Sequence, residues 1–406
     1  MLQKKTLSFP HHILSGTEPA GVARIQSPQL YQALASSSAD VVAGLQKRGV
    51  AKILYIHGTF AGNDLTGLAR NLGRLSPTLT RQLRIDQTIK EWSKRSVDSL
   101  SGSQGNFPEA YVTQVNQFLQ SGQSDSNIGS IEASRFAWSG ENHHLGRLHG
   151  SLSLHQTLRH LKSQLQENQR ILIFAHSHGG NLLALLTLLA ESNAKVKRKL
   201  LRHLSISTPV APPTAVSPHL GDSQNPNVVN DLATLLNHCS DLPNLDVITL
   251  GTPLRYRWSS HPQRKILHLI NHQVVDPKQP TRTAFPSLLK PLDLRTLGDL
   301  IQQLGIGGSD FIPAMLTPTE IKQEKKLAKI LESSVRRKDY FKKLSLGRRE
   351  SRDGESILMD YTQIEPLESQ KLLGHAVYTL DRLIPFHLAL ASREMNQDQQ
   401  SEFTTD

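Results

Sequence analysis

Ser177 is the residue whose surroundings most clearly predict chemistry. It follows the apolar run 171–175 (ILIFA) and precedes Gly179, Gly180 and an apolar stretch, a pattern that predicts a buried strand, a tight turn and a helix. A serine on such a turn exposes its hydroxyl at the edge of a sheet and in front of a helix N-terminus, which favours developing negative charge. We therefore predict that Ser177 is a nucleophile in a Gly-x-Ser-x-Gly elbow, with Ala175 at the first small position. The backbone N–H of His178 is the predicted first oxyanion donor.

A second loop is expected to complete the oxyanion hole. The β-rich run 52–56 (KILYI) ends at His57-Gly58-Thr59-Phe60, which predicts a buried strand followed by a close turn. A backbone N–H from a separate strand upstream of the nucleophile is the usual second donor at such a site. We predict the N–H of Thr59 in this role, with Phe60 as the second choice.

His375 is the predicted general base. In a catalytic triad of serine, acid and histidine built on such an elbow, the serine comes first along the chain, the acid second and the histidine last. Gly374-His375 follows the last predicted strand, 357–361, and precedes a segment predicted to be helical as far as His387. His387 is expected to lie on the surface of that helix.

The acid has several candidates. Asp299 is preferred because Gly298-Asp299 precedes an apolar pair and resembles the Gly-Asp turn that carries the acid in many lipases. Asp276, close to the end of the predicted strand 265–270, is the second candidate, and Asp360 is the third. Chain order also admits Asp293, Asp310 and Asp339. Each aspartate could instead cap a helix or form a turn. Proximity to His375 in the folded protein is therefore what distinguishes the acid of the triad from the other candidates.

The elements around these residues alternate between strand and helix. We predict helices at 25–48, 111–119, 145–167 and 181–190, and strands at 52–56, 135–138, 171–175, 204–207, 245–250, 265–270 and 357–361. This alternation predicts an α/β fold with a mostly parallel central sheet and helices on both faces. Residues 1–406 are expected to form one catalytic domain with insertions at 76–130 and 271–354, the second a basic cap or lid.

Composition restricts the class of protein. Hydrophobic residues make up 37% and charged residues 20% of the 406, which is typical of a globular chain with a sizeable core. The single cysteine, Cys239, cannot form an internal disulfide, which favours a reducing compartment. We see no signal peptide and no run of apolar residues long enough to span a membrane, so a cytoplasmic protein is predicted.

The net charge of +11 is concentrated in one segment. Residues 322–352 contain twelve basic and four acidic residues. This run predicts a solvated basic face, with peripheral contact to an anionic membrane surface as the alternative. A nucleic-acid partner is not expected.

Together these residues resemble lipase- and esterase-like members of the α/β-hydrolase superfamily, particularly bacterial ones. The resemblance covers the core and depends on five segments: 56–59 (IHGT), 136–140 (FAWSG), 175–180 (AHSHGG), 249–253 (TLGTP) and 374–375 (GH). It implies an α/β-hydrolase fold and cleavage of a carboxylic ester in a small, lipid-like substrate. Ser177 would attack the carbonyl, His375 would transfer the proton, and the acid would orient the imidazole. No cofactor is implied.

Three other functions remain open. An acyltransferase would use the same triad with an alcohol in place of water. A metal-dependent hydrolase would use His176 and His178, with His143 and His144 on another loop, although this spacing is weak for a metal site. A non-catalytic binding protein with a hydrolase-like fold would use the basic segment. The sequence does not indicate an oligomeric state.

Overall fold

A parallel sheet organises the protein, as the computed structural model shows. The structure describes residues 22–58, 107–123, 130–191, 242–253, 255–256, 258, 264–281, 298–303, 318–331, 353–366 and 374–397. Its strands are β1 (Val22–Gln26), β2 (Val50–Ile56), β3 (Glu132–Phe136), β4 (Arg170–His176), β5 (Asn244–Leu250), β6 (Lys265–Asn271) and β7 (Glu355–Met359). The sheet has seven strands in the order β1-β7-β6-β5-β4-β2-β3, and every neighbouring pair is parallel. The predicted α/β class with a parallel sheet is confirmed.

Helices cover both faces of this sheet. They are α1 (Gln29–Leu34), α2 (Ser38–Lys47), α3 (Glu109–Gly122), α4 (His144–Lys162), α5 (Gly179–Glu191), α6 (Pro318–Leu331) and α7 (Ile384–Glu394). Side chains of β4 alternate between two cores: Ile171 and Ile173 pack with α4 and α5, whereas Leu172 and Phe174 pack with α2, α3 and α7. A strand that is buried on both faces explains why the sequence 171–175 is apolar without interruption.

The N-terminal prediction was wrong. A single helix over 25–48 was expected, but residues 22–26 form β1, an edge strand paired with β7, and α1 and α2 follow it. Pro28 starts α1, and Ser37 caps α2 by accepting a hydrogen bond from the backbone N–H of Asp40 at 3.2 Å. The predicted strand 204–207 lies outside the described residues.

A buried ion cluster holds the amino ends of the central strands. Asp246 on β5 is fully buried and accepts paired hydrogen bonds from Arg48, at the end of α2, and from Arg170 on β4, at 2.8–3.1 Å. Burial opposes ionisation of Asp246, but the hydrogen bonds and charges of the two guanidinium groups outweigh it and lower its pKa. This cluster ties α2, β4 and β5 together at the end of the sheet opposite to the predicted site.

The region after the last strand also differs from the prediction. Instead of one helix from His375, two short 3-10 turns, Val377–Thr379 and Asp381–Leu383, lead into α7. His387 is buried, not on the surface, and its Nε2 is hydrogen-bonded to the hydroxyl of Tyr361 at 2.9 Å. Burial lowers the pKa of His387 to about 3.

Across the ranges that the structure describes, no helix combines the length and apolarity needed to cross a membrane.

Candidate active site

Ser177 occupies a backbone conformation that a serine adopts only under constraint. It follows β4 directly with a φ of 50°, and it is the one non-glycine residue with positive φ among those described. Two contacts hold the turn: the N–H of Ser177 donates to the carbonyl of Leu250 at 2.9 Å, and the hydroxyl of Thr252 donates to the carbonyl of Ser177 at 2.7 Å. A strained serine turn between a strand and a helix is the geometry that a nucleophile elbow requires.

Two glycines allow the turn to lie close to β2. A Cβ at Gly179 would stand 2.6 Å from the carbonyl oxygen of His57, and one at Gly58 would stand 2.7 Å from the Cβ of Ser177. The loop after β2 therefore touches the serine, as an oxyanion loop must. Thr59 and Phe60, the predicted donors of this loop, lie outside the described residues. His178, the other predicted donor, lies between Ser177 and the first residue of α5.

The loop after β2 is fixed to the loop after β3 by His57. Its Nδ1 lies 2.6 Å from the carbonyl oxygen of Gly58, and its Nε2 accepts from the backbone N–H of Trp138 at 3.1 Å, so the proton resides on Nδ1. The indole N–H of Trp138 in turn donates to the carbonyl of His57 at 2.9 Å. Burial lowers the pKa of His57 to about 4, which keeps the ring neutral.

Asp299 and His375 form a buried acid–base pair. Nδ1 of His375 donates to Oδ2 of Asp299 at 2.8 Å, and Oδ1 of Asp299 accepts from the backbone N–H of Gln302 at 2.8 Å. The carboxylate is inaccessible to solvent and His375 is 7% exposed. With its proton on Nδ1, the imidazole presents Nε2 as an acceptor. That Nε2 makes no hydrogen bond in the described part of the chain, to Ser177 or to any other residue.

His375 lies beside the nucleophile turn. Its ring centroid is 4.7 Å from that of His176, the residue before Ser177, and Nε2 of His176 lies 3.2 Å from the carbonyl oxygen of His375. Ser177 follows β4, Asp299 bonds through its N–H to Asn271 at the end of β6, and His375 comes after β7. All three residues therefore lie at the carboxyl edge of the sheet, where parallel α/β folds place their sites.

The two other candidate acids that lie in the described ranges have structural roles. Asp360 caps the 3-10 turn Tyr361–Gln363, since its Oδ1 accepts from the N–H and the hydroxyl of Thr362 at 3.0 and 2.6 Å. Asp276 is exposed and accepts from the backbone N–H of Lys278 at 2.8 Å, as a turn-forming aspartate does. Asp293, Asp310 and Asp339 lie outside the described residues. Among the described aspartates, Asp299 is the one that the structure brings to His375.

Sequence reasoning missed the residues that hold the acid in place. The hydroxyl of Tyr378 donates to Oδ2 of Asp299 at 3.0 Å, and the side-chain amide of Asn271 donates to the carbonyl of Gly374 at 3.0 Å. Thr252, which holds the serine turn, lies in the segment 249–253, but no role was predicted for it. The spacing of Tyr378 three residues after the histidine was visible, but no pattern in the sequence pairs it with an aspartate some eighty residues earlier.

The described part of the basic segment is a helix, α6, that packs its apolar side against the core. Leu327 and Ile330 of α6 lie in the core beside α4, and Glu324 accepts from the backbone N–H groups of His144 and Leu145 at 2.7 and 3.0 Å. Glu324 thus satisfies the N-terminus of α4, where negative charge is favourable. Lys322 and Lys325 point to solvent on the same helix. The remaining residues of the segment, 332–352, lie outside the described ranges.

In the part of the chain described here, which includes His143, His144, His176 and His178, no group of three or more His, Cys, Asp or Glu side chains is placed to hold a metal ion. Comparison with protein-family models, curated proteins and solved structures gives no match. The functional assignment therefore depends on the geometry of the residues at the carboxyl edge of the sheet.

Proposed function

We propose that this protein is a serine hydrolase of the α/β-hydrolase type that cleaves a carboxylic ester. One observation carries the proposal: a serine with positive φ, between a central strand and a helix, shares one sheet edge with a buried Asp299–His375 pair. A strained serine persists only where its surroundings fix it, and such strain concentrates at functional sites. The succession Ser177, Asp299 and His375 along the chain is also that of this class of triad.

The chemistry follows from the hydrogen bonds of the pair. The hydroxyl of Ser177 attacks the ester carbonyl while Nε2 of His375 takes its proton, and Asp299 keeps the other proton on Nδ1 and stabilises the imidazolium. The N–H of His178 and one from the loop after Gly58 stabilise the oxyanion. His375 then gives the proton to the leaving alcohol, and water releases the acyl group by the same steps.

Among the residues that the structure describes, none makes a hydrogen bond to Nε2 of His375, which fits this mechanism. Nε2 is buried beside the Ser177 turn. Because Asp299 holds the ring proton on Nδ1, the lone pair of Nε2 can accept a hydrogen bond. Catalytic hydrogen bonds are commonly loose in a free enzyme and tighten when substrate binds. A small ester that fills the site would bring the serine hydroxyl and Nε2 together.

The test is covalent labelling with a fluorophosphonate, which requires an activated serine. We expect the purified protein to be labelled, with the adduct mapped by mass spectrometry to Ser177, and to hydrolyse a short-chain aryl ester. Ser177→Ala should lose both signals. Ser151→Ala is a matched control, because Ser151 is buried in α4 and its hydroxyl bonds to the carbonyls of Arg147 and Leu182. Labelling that persists in Ser177→Ala, or no labelling of the wild type, contradicts the proposal.

The same experiment separates hydrolysis from transfer. With an alcohol added to the aryl ester assay, an acyltransferase forms a new ester, whereas a hydrolase forms the free acid. Both reactions would depend on Ser177.

A further inference from the structure

We infer that Tyr378 is a positioning residue of the acid–base pair, whose hydroxyl orients the carboxylate of Asp299 toward His375. This inference rests on the proposed serine hydrolase mechanism and names a residue that the triad alone does not include. Tyr378 acts through Asp299 and has no assigned contact with substrate.

The direction of the phenol proton follows from its two partners. The oxygen of Tyr378 accepts from the backbone N–H of Asn271 at 2.6 Å and lies 3.0 Å from Oδ2 of Asp299. A backbone N–H can only donate and an ionised carboxylate can only accept, so the hydroxyl must donate to Asp299. Oδ2 thus receives two hydrogen bonds, one from Tyr378 and one from Nδ1 of His375.

The setting of Tyr378 keeps this donor permanently in place. The side chain is completely buried, and burial, followed by the negative charge of Asp299, raises the pKa of the phenol well above its usual value. The hydroxyl therefore stays protonated wherever a histidine base titrates. Gly251 makes room for it, since a Cβ there would lie 2.5 Å from both the Tyr378 ring and Oδ2 of Asp299.

Sharing Oδ2 between two donors has a consequence for catalysis. A hydrogen bond from Tyr378 stabilises the negative charge of Asp299 and so reduces its pull on the proton of His375. Without that bond Asp299 holds the proton of His375 more strongly, so labelling of Ser177 in the variant is expected to need a higher pH to reach the same rate. Within the described ranges, the titratable groups that face His375 are Asp299, Tyr378 at 6.1 Å between ring centroids, and His176 at 4.7 Å.

The experiment measures the rate of fluorophosphonate labelling from about pH 5 to about pH 9, the range across which a histidine base titrates. It compares the full-length wild type with Tyr378→Phe and with Tyr361→Phe. Tyr361 is the matched control: it is equally buried, its ring centroid lies 5.5 Å from that of Tyr378, and its hydroxyl bonds to His387 instead of Asp299.

In Tyr378→Phe the midpoint of the acid limb is expected to rise by about half a unit to one unit, so that labelling on that limb slows by up to about tenfold. Tyr361→Phe should leave the midpoint where it is in the wild type. A residue with a merely structural role would lower the melting temperature without moving the midpoint.

A second substitution covers the case in which Tyr378→Phe does not fold. Replacing Tyr378 by 3-fluorotyrosine makes the phenol more acidic and a stronger donor, so the midpoint should move down. An unchanged midpoint in both Tyr378 proteins, or an equal shift in Tyr361→Phe, overturns the role of Tyr378 while the labelled serine remains. If the wild type is not labelled at Ser177, the proposed function itself fails.

Discussion

Replacing the acid by its amide is the sharpest perturbation of the proposed site, because the structure determines which way the amide must face. In Asp299→Asn, the side-chain oxygen has to keep the place of Oδ1, where the backbone N–H of Gln302 donates at 2.8 Å. The amide nitrogen then occupies the place of Oδ2, 2.8 Å from Nδ1 of His375. An amide nitrogen only donates, so Nδ1 must accept and the histidine proton moves to Nε2. The base is thereby blocked at the atom that has to take the proton of Ser177.

The magnitude follows from that change of tautomer. The equivalent substitution in the Ser-His-Asp triad of a serine protease lowers kcat by about 10⁴-fold with the geometry intact, and we expect a loss of about 10³- to 10⁴-fold here. The cost in stability is much smaller: the hydroxyl of Tyr378 loses its acceptor, which amounts to about 1–3 kcal/mol. Activity should therefore collapse in a protein that still folds.

The assay is aryl ester turnover beside a thermal melt, with two matched variants. Asp276→Asn and Asp360→Asn remove the other candidate acids, whose carboxylates bond to Lys278 and Thr362 in local turns. Both should retain close to wild-type turnover. Wild-type activity in a folded Asp299→Asn protein would refute the assignment of the acid, and so would a comparable loss in Asp276→Asn or Asp360→Asn.

Three further outcomes are expected. Gly179→Ala should abolish labelling of Ser177, because the new Cβ would clash with the backbone carbonyl oxygen of His57. The same clash should cost about 1–3 kcal/mol of stability in a denaturant titration. Labelling at the wild-type rate would disprove this steric argument. Asp246→Asn should lower the free energy of unfolding near neutral pH by about 3 kcal/mol, because Arg48 and Arg170, whose side chains are only 14% and 13% exposed, lose their counter-charge. A change below about 0.5 kcal/mol would contradict this expectation. His387 has its pKa lowered to about 3 by burial, so below pH 6.5 the unfolded chain binds a proton that the folded protein does not, and stability falls as the pH drops toward 3. His387→Gln should reduce that slope by up to about 1.4 kcal/mol per pH unit, and an unchanged slope would refute the argument.

Elements with an unambiguous periodicity could be predicted from the sequence. Residues 171–175 are apolar throughout because β4 is covered on both faces, and the observed strand differs from the prediction by one residue at each end. β1 was missed because an edge strand buries little: Ile25 is 43% exposed, and Leu30 and Leu34 nearby suggested one continuous helix. A strand whose pairing partner, β7, is more than three hundred residues away leaves too weak a local signal.

The residues of the candidate site also differ in how far the sequence could predict them. Ser177 could be predicted because the strain of its turn imposes small residues within a few positions, which the sequence displays. Asp299 could only be ranked among several aspartates, because its pairing with His375 is a contact between distant loops. Tyr378 and Asn271 could not be predicted at all, since their roles consist of hydrogen bonds to each other and to that pair.

The glycine before each member of the Asp299–His375 pair explains how the two loops can approach each other. Gly298 and Gly374 have φ values of 62° and 85°, which a residue with a side chain rarely adopts. They also touch, because a Cβ at Gly374 would overlap the carbonyl oxygen of Gly298, and one at Gly298 would overlap that of Asn271. The chain can therefore bring the loop after β6 and the loop after β7 together only if both positions lack a side chain. The close approach of these two backbones places Asp299 within hydrogen-bonding distance of His375. The pairs Gly298-Asp299 and Gly374-His375 therefore meet the same steric requirement, since each glycine leaves room for the backbone that packs against it.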